Sequence, residues 1–142
     1  MYKKILLSID LNDEASWSAS LQTAIDMSRT FGAVLHLVHV VAEVPEAVIK
    51  LYLPENNTDQ LIQGFRDKMD AFCEQHIPDD CKAITHLCRG SIYSGILETA
   101  KKVEADLIII GSHRPTMGDF LLGPNAARVV RHADSSVLVV RN

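Results

Sequence analysis

Leu107-Ile108-Ile109-Ile110-Gly111-Ser112 is the stretch whose reading decides the fold. Four consecutive apolar residues, three of them β-branched, read as a strand with both faces buried, which is what the interior of a parallel sheet requires. Upstream, Ser91 stands where a helix N-cap belongs, and Ile92, Ile96, Ala100 and Val103 fall on one helical stripe. Before that, Ala83-Ile84-Thr85-His86-Leu87-Cys88 alternates partially, as a less buried strand does. Downstream, a loop from Gly111 to about Leu122 leads to a helix near residues 125–132, and Ser136-Val137-Leu138-Val139-Val140 reads as a closing strand.

The first half repeats the rhythm. Ile5-Leu6-Leu7-Ser8-Ile9 is a strand apolar on both faces. A helix over 14–31 follows, with Trp17, Leu21, Ala24, Ser28 and Phe31 on one stripe and Gly32 as its stop. Residues 34–41 form a second strand. An irregular connection over 42–58 holds Pro45 and Pro54, and a helix marked by Leu61, Phe65, Met69 and Phe72 ends before Pro78-Asp79-Asp80. The pattern β-α-β-α-β-α-β-α-β predicts an α/β domain, a three-layer α/β/α arrangement with a five-stranded parallel sheet and right-handed crossovers, spanning residues 1–142. Ligands of such sheets bind where strand order reverses, at the carboxyl ends of the strands.

Composition narrows the function. The chain has 142 residues, 47% of them hydrophobic and 23% charged, with a formal net charge of −4. It carries no basic arm or stripe, so nucleic acid is not an expected partner. Three cysteines without CxxC spacing (Cys73, Cys81 and Cys88) argue against a disulfide framework or zinc site and for reduced thiols in the cytoplasm. The apolar run after Lys3-Lys4 is too short for a signal peptide and is ended by Asp10, and no apolar stretch is long enough to span a bilayer.

Three segments could carry chemistry. Asp10, directly after the first strand, can accept hydrogen bonds from a ribose hydroxyl or base amino group, or can be a turn residue in Asp10-Leu11-Asn12-Asp13. In Gly111-Ser112-His113-Arg114-Pro115, Gly111 permits close ligand approach and Arg114 can reach a phosphate; alternatively this is an ordinary surface loop. Gly123-Pro124-Asn125 opens a helix whose free N–H groups and dipole suit an anion, or is a plain N-terminus with Asn125 as cap. The sequence lacks GxGxxG after the first strand, a P-loop motif and a GxSxG elbow. His36 and His39, three apart on one strand, face opposite sides and do not chelate one metal. With no nucleophile–base–orienter set, the sequence favours a binding protein over a fast enzyme.

Taken as an ordered set, Lys4–Asp10, Ile108–Pro115, Leu121–Ala126, Val129–Ala133 and Val137–Val140 resemble the universal stress protein family. The resemblance implies strand order 3-2-1-4-5, the adenine-nucleotide α-hydrolase-like arrangement, and ATP as cofactor, with Mg²⁺ left open. Carried onto this chain, it implies contacts from Asp10 and Val40 to adenine and ribose, and from Gly111 and Gly123, at the two ends of the loop, to the phosphates. The expected nucleotide-binding set also includes Ser8, Ile110, His113, Arg114, Pro124 and Asn125. The family's phosphate loop is written G-x2-G-x9-G-[S/T], and this chain departs from it. Arg114 replaces the second glycine, eight residues rather than nine separate it from Gly123, and Pro124 replaces the Ser or Thr. The His-Arg-Pro loop also resembles a branch whose members can hold ATP. Pro124 removes about one donor pair, on the order of 1–3 kcal/mol, which Arg114 offsets in part.

An ATP-binding regulatory stress-response protein, with at most slow hydrolysis and no catalytic or metal-ligating residue, is the resulting expectation. The alternative is a nucleotide-free dimeric interaction module of the same fold. An enzyme of the wider α-hydrolase type fits least, because Asp10-Leu11-Asn12-Asp13-Glu14 is too acidic to hold a pyrophosphate. Order 3-2-1-4-5 puts the apolar last strand on a sheet edge, and the resemblance implies a homodimer through it, with tetramers left open.

Overall fold

The computed structural model describes residues 1–41, 47, 58–112 and 123–141. The described elements run β1 (Lys4–Ser8), α1 (Glu14–Phe31), β2 (Val34–Val41), α2 (Thr58–His76), β3 (Ala83–Arg89), α3 (Ile92–Val103), β4 (Leu107–Ser112), α4 (Pro124–His132) and β5 (Ser136–Arg141). All four strand pairings are parallel and the order is β3-β2-β1-β4-β5, as expected. Strand order reverses between β1 and β4, where Ile5, Leu6 and Leu7 lie opposite Leu107, Ile108 and Ile109.

The period-2 alternation of the strands divides the core in two. Ile5, Leu7, Leu35, Leu37, Leu107 and Ile109 face α1 and α2, where they meet Trp17, Leu21, Ile25, Met69 and Phe72. Leu6, Val38, Ile108 and Ile110 face α3 and α4, where they meet Ile96, Ala100, Ala126 and Val129. Every one of these strand residues is buried, which is why the central strands read as unbroken apolar runs. The start of β1 is tied to the turn before β4, because the Asp106 carboxylate accepts from the Lys3 and Lys4 N–H groups at 2.8 and 3.1 Å.

The helix stripes hold with local exceptions. Gly32 ends α1 in the left-handed conformation at φ 64°, its N–H donating to Ser28 O. Ser91 is the N-cap of α3 by position, but its side chain makes no capping bond. Ile92, expected on the inner face of α3, is exposed at its first turn, while Ile96, Ala100 and Val103 are buried. Leu61 is likewise exposed, since α2 buries only its later turns through Met69 and Phe72. All three cysteines are free.

His36 and His39 do face opposite sides, as their spacing requires. His36 shares its face with Val38 and pairs with His86 of β3, Nδ1 to Nε2 at 2.9 Å with the rings stacked. Burial pushes both imidazoles below the ordinary value, with His86 and Lys4 adding to the effect on His36, and Lys102 on His86. The unfolded chain therefore binds protons more readily at these sites. The stability they contribute is complete above the ordinary imidazole value of 6.5 and is lost as pH falls below it. We expect urea midpoints to fall from pH 7 to pH 5 and His86→Gln to flatten that fall. Parallel pH profiles for the two proteins would exclude the pair as the cause.

Candidate functional site

The β1–β2 ladder runs past the end of β1, with Ile9 N–H donating to Val38 O at 2.9 Å. Beyond it the chain turns into α1, β2 continues to Val41, and β4 ends at Ser112. A cleft of about 240 Å³ opens at these carboxyl ends, closed on one side by the start of α4. Ligand clefts commonly run from about 300 Å³ upward, and this volume is that bounded by the described residues. The cleft brings together Ser8, Asp10, Val40, Ile110, Gly111, Gly123, Pro124 and Asn125, eight of the ten residues implied by the sequence. His113 and Arg114 lie outside the described residues.

Asp10 is exposed and is the one carboxylate lining the cleft among the described residues. Its Oδ1 accepts from Asn12 N–H at 2.9 Å and its backbone O from Asp13 N–H at 3.1 Å. The turn role is thus present, and the same carboxylate still borders the cleft. A negative group here repels phosphate and suits hydroxyl or amino donors.

At the other end stands the N-terminus of α4. The helix begins at Pro124, so Gly123 is the N-cap and Asn125 is a first-turn residue, which removes the alternative in which Asn125 is the cap. Proline fits the first helical position because the N–H it lacks has no intrahelical acceptor there anyway. The first intrahelical bond runs from Ala127 N–H to Gly123 O at 2.9 Å. The N–H groups of Asn125 and Ala126 precede it and are the donors an anion would meet. A Cβ built on Gly123 has nothing within 4 Å, so this glycine leaves the mouth of the cleft clear.

Gly111 has a different reason to be glycine. A Cβ there would lie 2.1 Å from the backbone O of Ser16 and 3.3 Å from Ser20 Oγ, on the α1 side. The residue lines the cleft, but its missing side chain admits helix α1 rather than a ligand. Gly95 makes a related contact, for a Cβ there would lie 2.7 Å from Val40 Cγ2. Helix α3 therefore rests directly on the valine that forms one wall.

Sequence reasoning missed Ile9, Ser16, His39, Ile92, Ser112 and Ala126 as lining residues. Ser112 was legible as the continuation of β4. Ser16 and Ile92 enter only because α1 and α3 begin beside the strand ends. Two larger cavities, of about 390 and 430 Å³, lie between the carboxyl-terminal halves of α3 and α4 and beside β3. Neither is at the strand reversal, and charged side chains such as Glu98, Lys101, Glu104 and Lys102 line them.

A parallel sheet in this order, with a carboxylate and a helix N-terminus lining one cleft at its reversal point, defines a doubly wound α/β protein with a small-ligand cleft. Residues 1–141 match the Universal stress protein family, and the chain belongs to that family. It is 28% identical to Universal stress protein G of Salmonella typhimurium, over 99% of this chain and all of that one. It resembles the crystal structure of a universal stress protein in complex with cAMP, with TM-score 0.63, 22% identity, and 99% and 97% of the two chains covered. It also resembles a universal stress protein from Archaeoglobus fulgidus in complex with dAMP, with TM-score 0.66, 18% identity and 97% of each chain covered. No helix among the described residues is long and apolar enough to cross a membrane.

Proposed function

We propose that this protein binds an adenine nucleotide in the cleft at the β1–β4 reversal, that ATP is its physiological ligand, and that the bound state regulates its partners or assembly. The observation that carries the reading is that the Asp10 carboxylate and the first turn of α4, with the Asn125 and Ala126 N–H groups, line one cleft. These two ends suit the hydroxyl-bearing and anionic parts of one nucleotide. Val40 and Ile110 supply apolar surface between them. The cAMP and dAMP complexes of the two similar proteins support the adenine nucleotide as the class. In this reading His113 and Arg114, on the chain between β4 and α4, add charge and hydrogen bonds to the phosphates. Mg²⁺ would neutralise the triphosphate from the solvent side. The reading includes slow hydrolysis or none.

Heating the purified protein and identifying released small molecules by mass spectrometry tests occupancy directly, and calorimetry with ATP and magnesium tests affinity. Millimolar ATP should raise the melting temperature by several degrees, because ligand at about a hundredfold over Kd adds about 2.7 kcal/mol to folding. No released nucleotide together with no heat of binding would end the proposal.

The second reading, a dimeric interaction module without nucleotide, draws on β5. Among the described residues this strand is a sheet edge, paired to β4 alone. Its apolar residues are already half-covered by their own chain, Val137 and Val139 on the α3–α4 side and Leu138 and Val140 on the α1–α2 side. What argues for a partner is the open backbone edge, which a second copy would cover. In that case ATP leaves both melting temperature and sedimentation unchanged. A species that sediments as a monomer at every concentration removes the dimer from either reading.

A further inference from the structure

We infer that His39 is a positioning residue that fixes the turn carrying Asp10, so that the sugar end of the nucleotide meets a preformed anchor; the inference rests on the nucleotide-binding reading above. His39 lies near the end of β2, is only 4% exposed, and lines the cleft. Its ring is stacked on Phe65 of α2, with centroids 5.2 Å apart and planes at 30°. A ring held in this way has little freedom to swing out.

Its Nδ1 sits between two backbone groups that flank Asp10. The Ile9 carbonyl oxygen is 3.2 Å away and the Leu11 nitrogen 3.3 Å away. One ring nitrogen cannot serve both at once. With a proton it donates to Ile9 O, and without one it accepts from Leu11 N–H. The Leu11 amide is part-buried, and an N–H left without an acceptor is rarer in folded proteins than a carbonyl short of one donor. In the inferred arrangement Nδ1 therefore accepts and holds the Leu11 amide, with the ring proton on Nε2.

The consequence falls on Asp10. With Leu11 N–H held by the ring and Asn12 N–H held by the Asp10 carboxylate, consecutive amides after Asp10 are both engaged. The carboxylate then has one orientation rather than several, and ligand binding does not have to order it. His39 acts on the ligand through this turn and through the wall it forms.

Histidine-labelled ¹⁵N NMR on the ligand-free protein should show His39 with Nδ1 unprotonated and Nε2 protonated, and hydrogen exchange should find the Leu11 amide protected. His39→Phe keeps the stacked ring but lacks the acceptor, and should weaken ATP binding about tenfold, the worth of one hydrogen bond. His39→Asn, whose amide oxygen takes the place of Nδ1, should bind ATP within about threefold of the parent, since the acceptor is restored. A protonated Nδ1, an unprotected Leu11 amide, or equal ATP affinity in His39→Phe and the parent would each overturn the assignment. Failure of ATP to bind the parent protein would instead remove the nucleotide, and the tautomer with Leu11 protection would still decide whether His39 holds the turn.

Discussion

Gly111→Ala should lower the unfolding free energy by about 3 kcal/mol, and Gly111→Val should yield little folded protein, because overpacking against an element that cannot move costs this much or more. The added Cβ meets the backbone O of Ser16 at 2.1 Å, and a backbone atom has no rotamer by which to withdraw. Either α1 lifts from the sheet or β4 bends at its last paired residues, where Gly111 lies opposite Val140. Urea denaturation followed by circular dichroism measures the cost. A Gly111→Ala protein within about 1 kcal/mol of the parent would mean that α1 yields easily, and the close approach would then not explain the glycine. Gly123→Ala is the control, since nothing lies within 4 Å of its Cβ position and its φ of −56° suits any residue. Substitutions at the two glycines of one motif thus test different things, and loss of ATP binding in a Gly111 variant would report the fold before the site.

Asp10→Ala should weaken ATP binding by about 10- to 100-fold, the equivalent of about 1.5–3 kcal/mol for hydrogen bonds to a charged group. Part of that loss comes from the turn, because Asn12 N–H loses its acceptor. Asp10→Asn separates the two contributions. An amide oxygen can still accept from Asn12 N–H, so the exposed turn should keep its stability within about 0.5 kcal/mol while affinity falls for want of the charge. Calorimetry with ATP on both variants, beside their melting curves, makes the comparison. Unchanged affinity in Asp10→Ala would detach this residue from the ligand and leave it as a turn former only.

The sheet was legible because burial on both faces leaves a plain mark. Ile108 and Ile109 point to opposite layers, and each must be apolar for its own reason, so the run from Leu107 to Ile110 admits little else. The strand order came from resemblance rather than periodicity, since alternation of elements does not say which strands are neighbours. Asp10 was legible because it follows a strand almost directly, and the Gly123–Asn125 turn because it opens a helix. What lay beyond the sequence was the reason for each glycine and the work of His39. Gly111 is small for the sake of Ser16, nearly a hundred positions away in the chain. In the sequence His39 stands out only by its spacing from His36, and the approach of its Nδ1 to Ile9 and Leu11 depends on where β1 stops pairing with β2. Asn125 is a common capping residue, but Pro124 takes the first helical position and leaves the cap to Gly123, a choice the sequence had left open.

The contact between Gly95 and Val40 has a consequence for selectivity. Helix α3 reaches that valine with no side chain in between, and the valine lines the cleft. Bulk acquired at position 95 would displace the valine's methyl groups and reshape the cleft wall. In the nucleotide-binding reading proposed above, the fit of the ligand can then be retuned from a position that does not itself line the cleft.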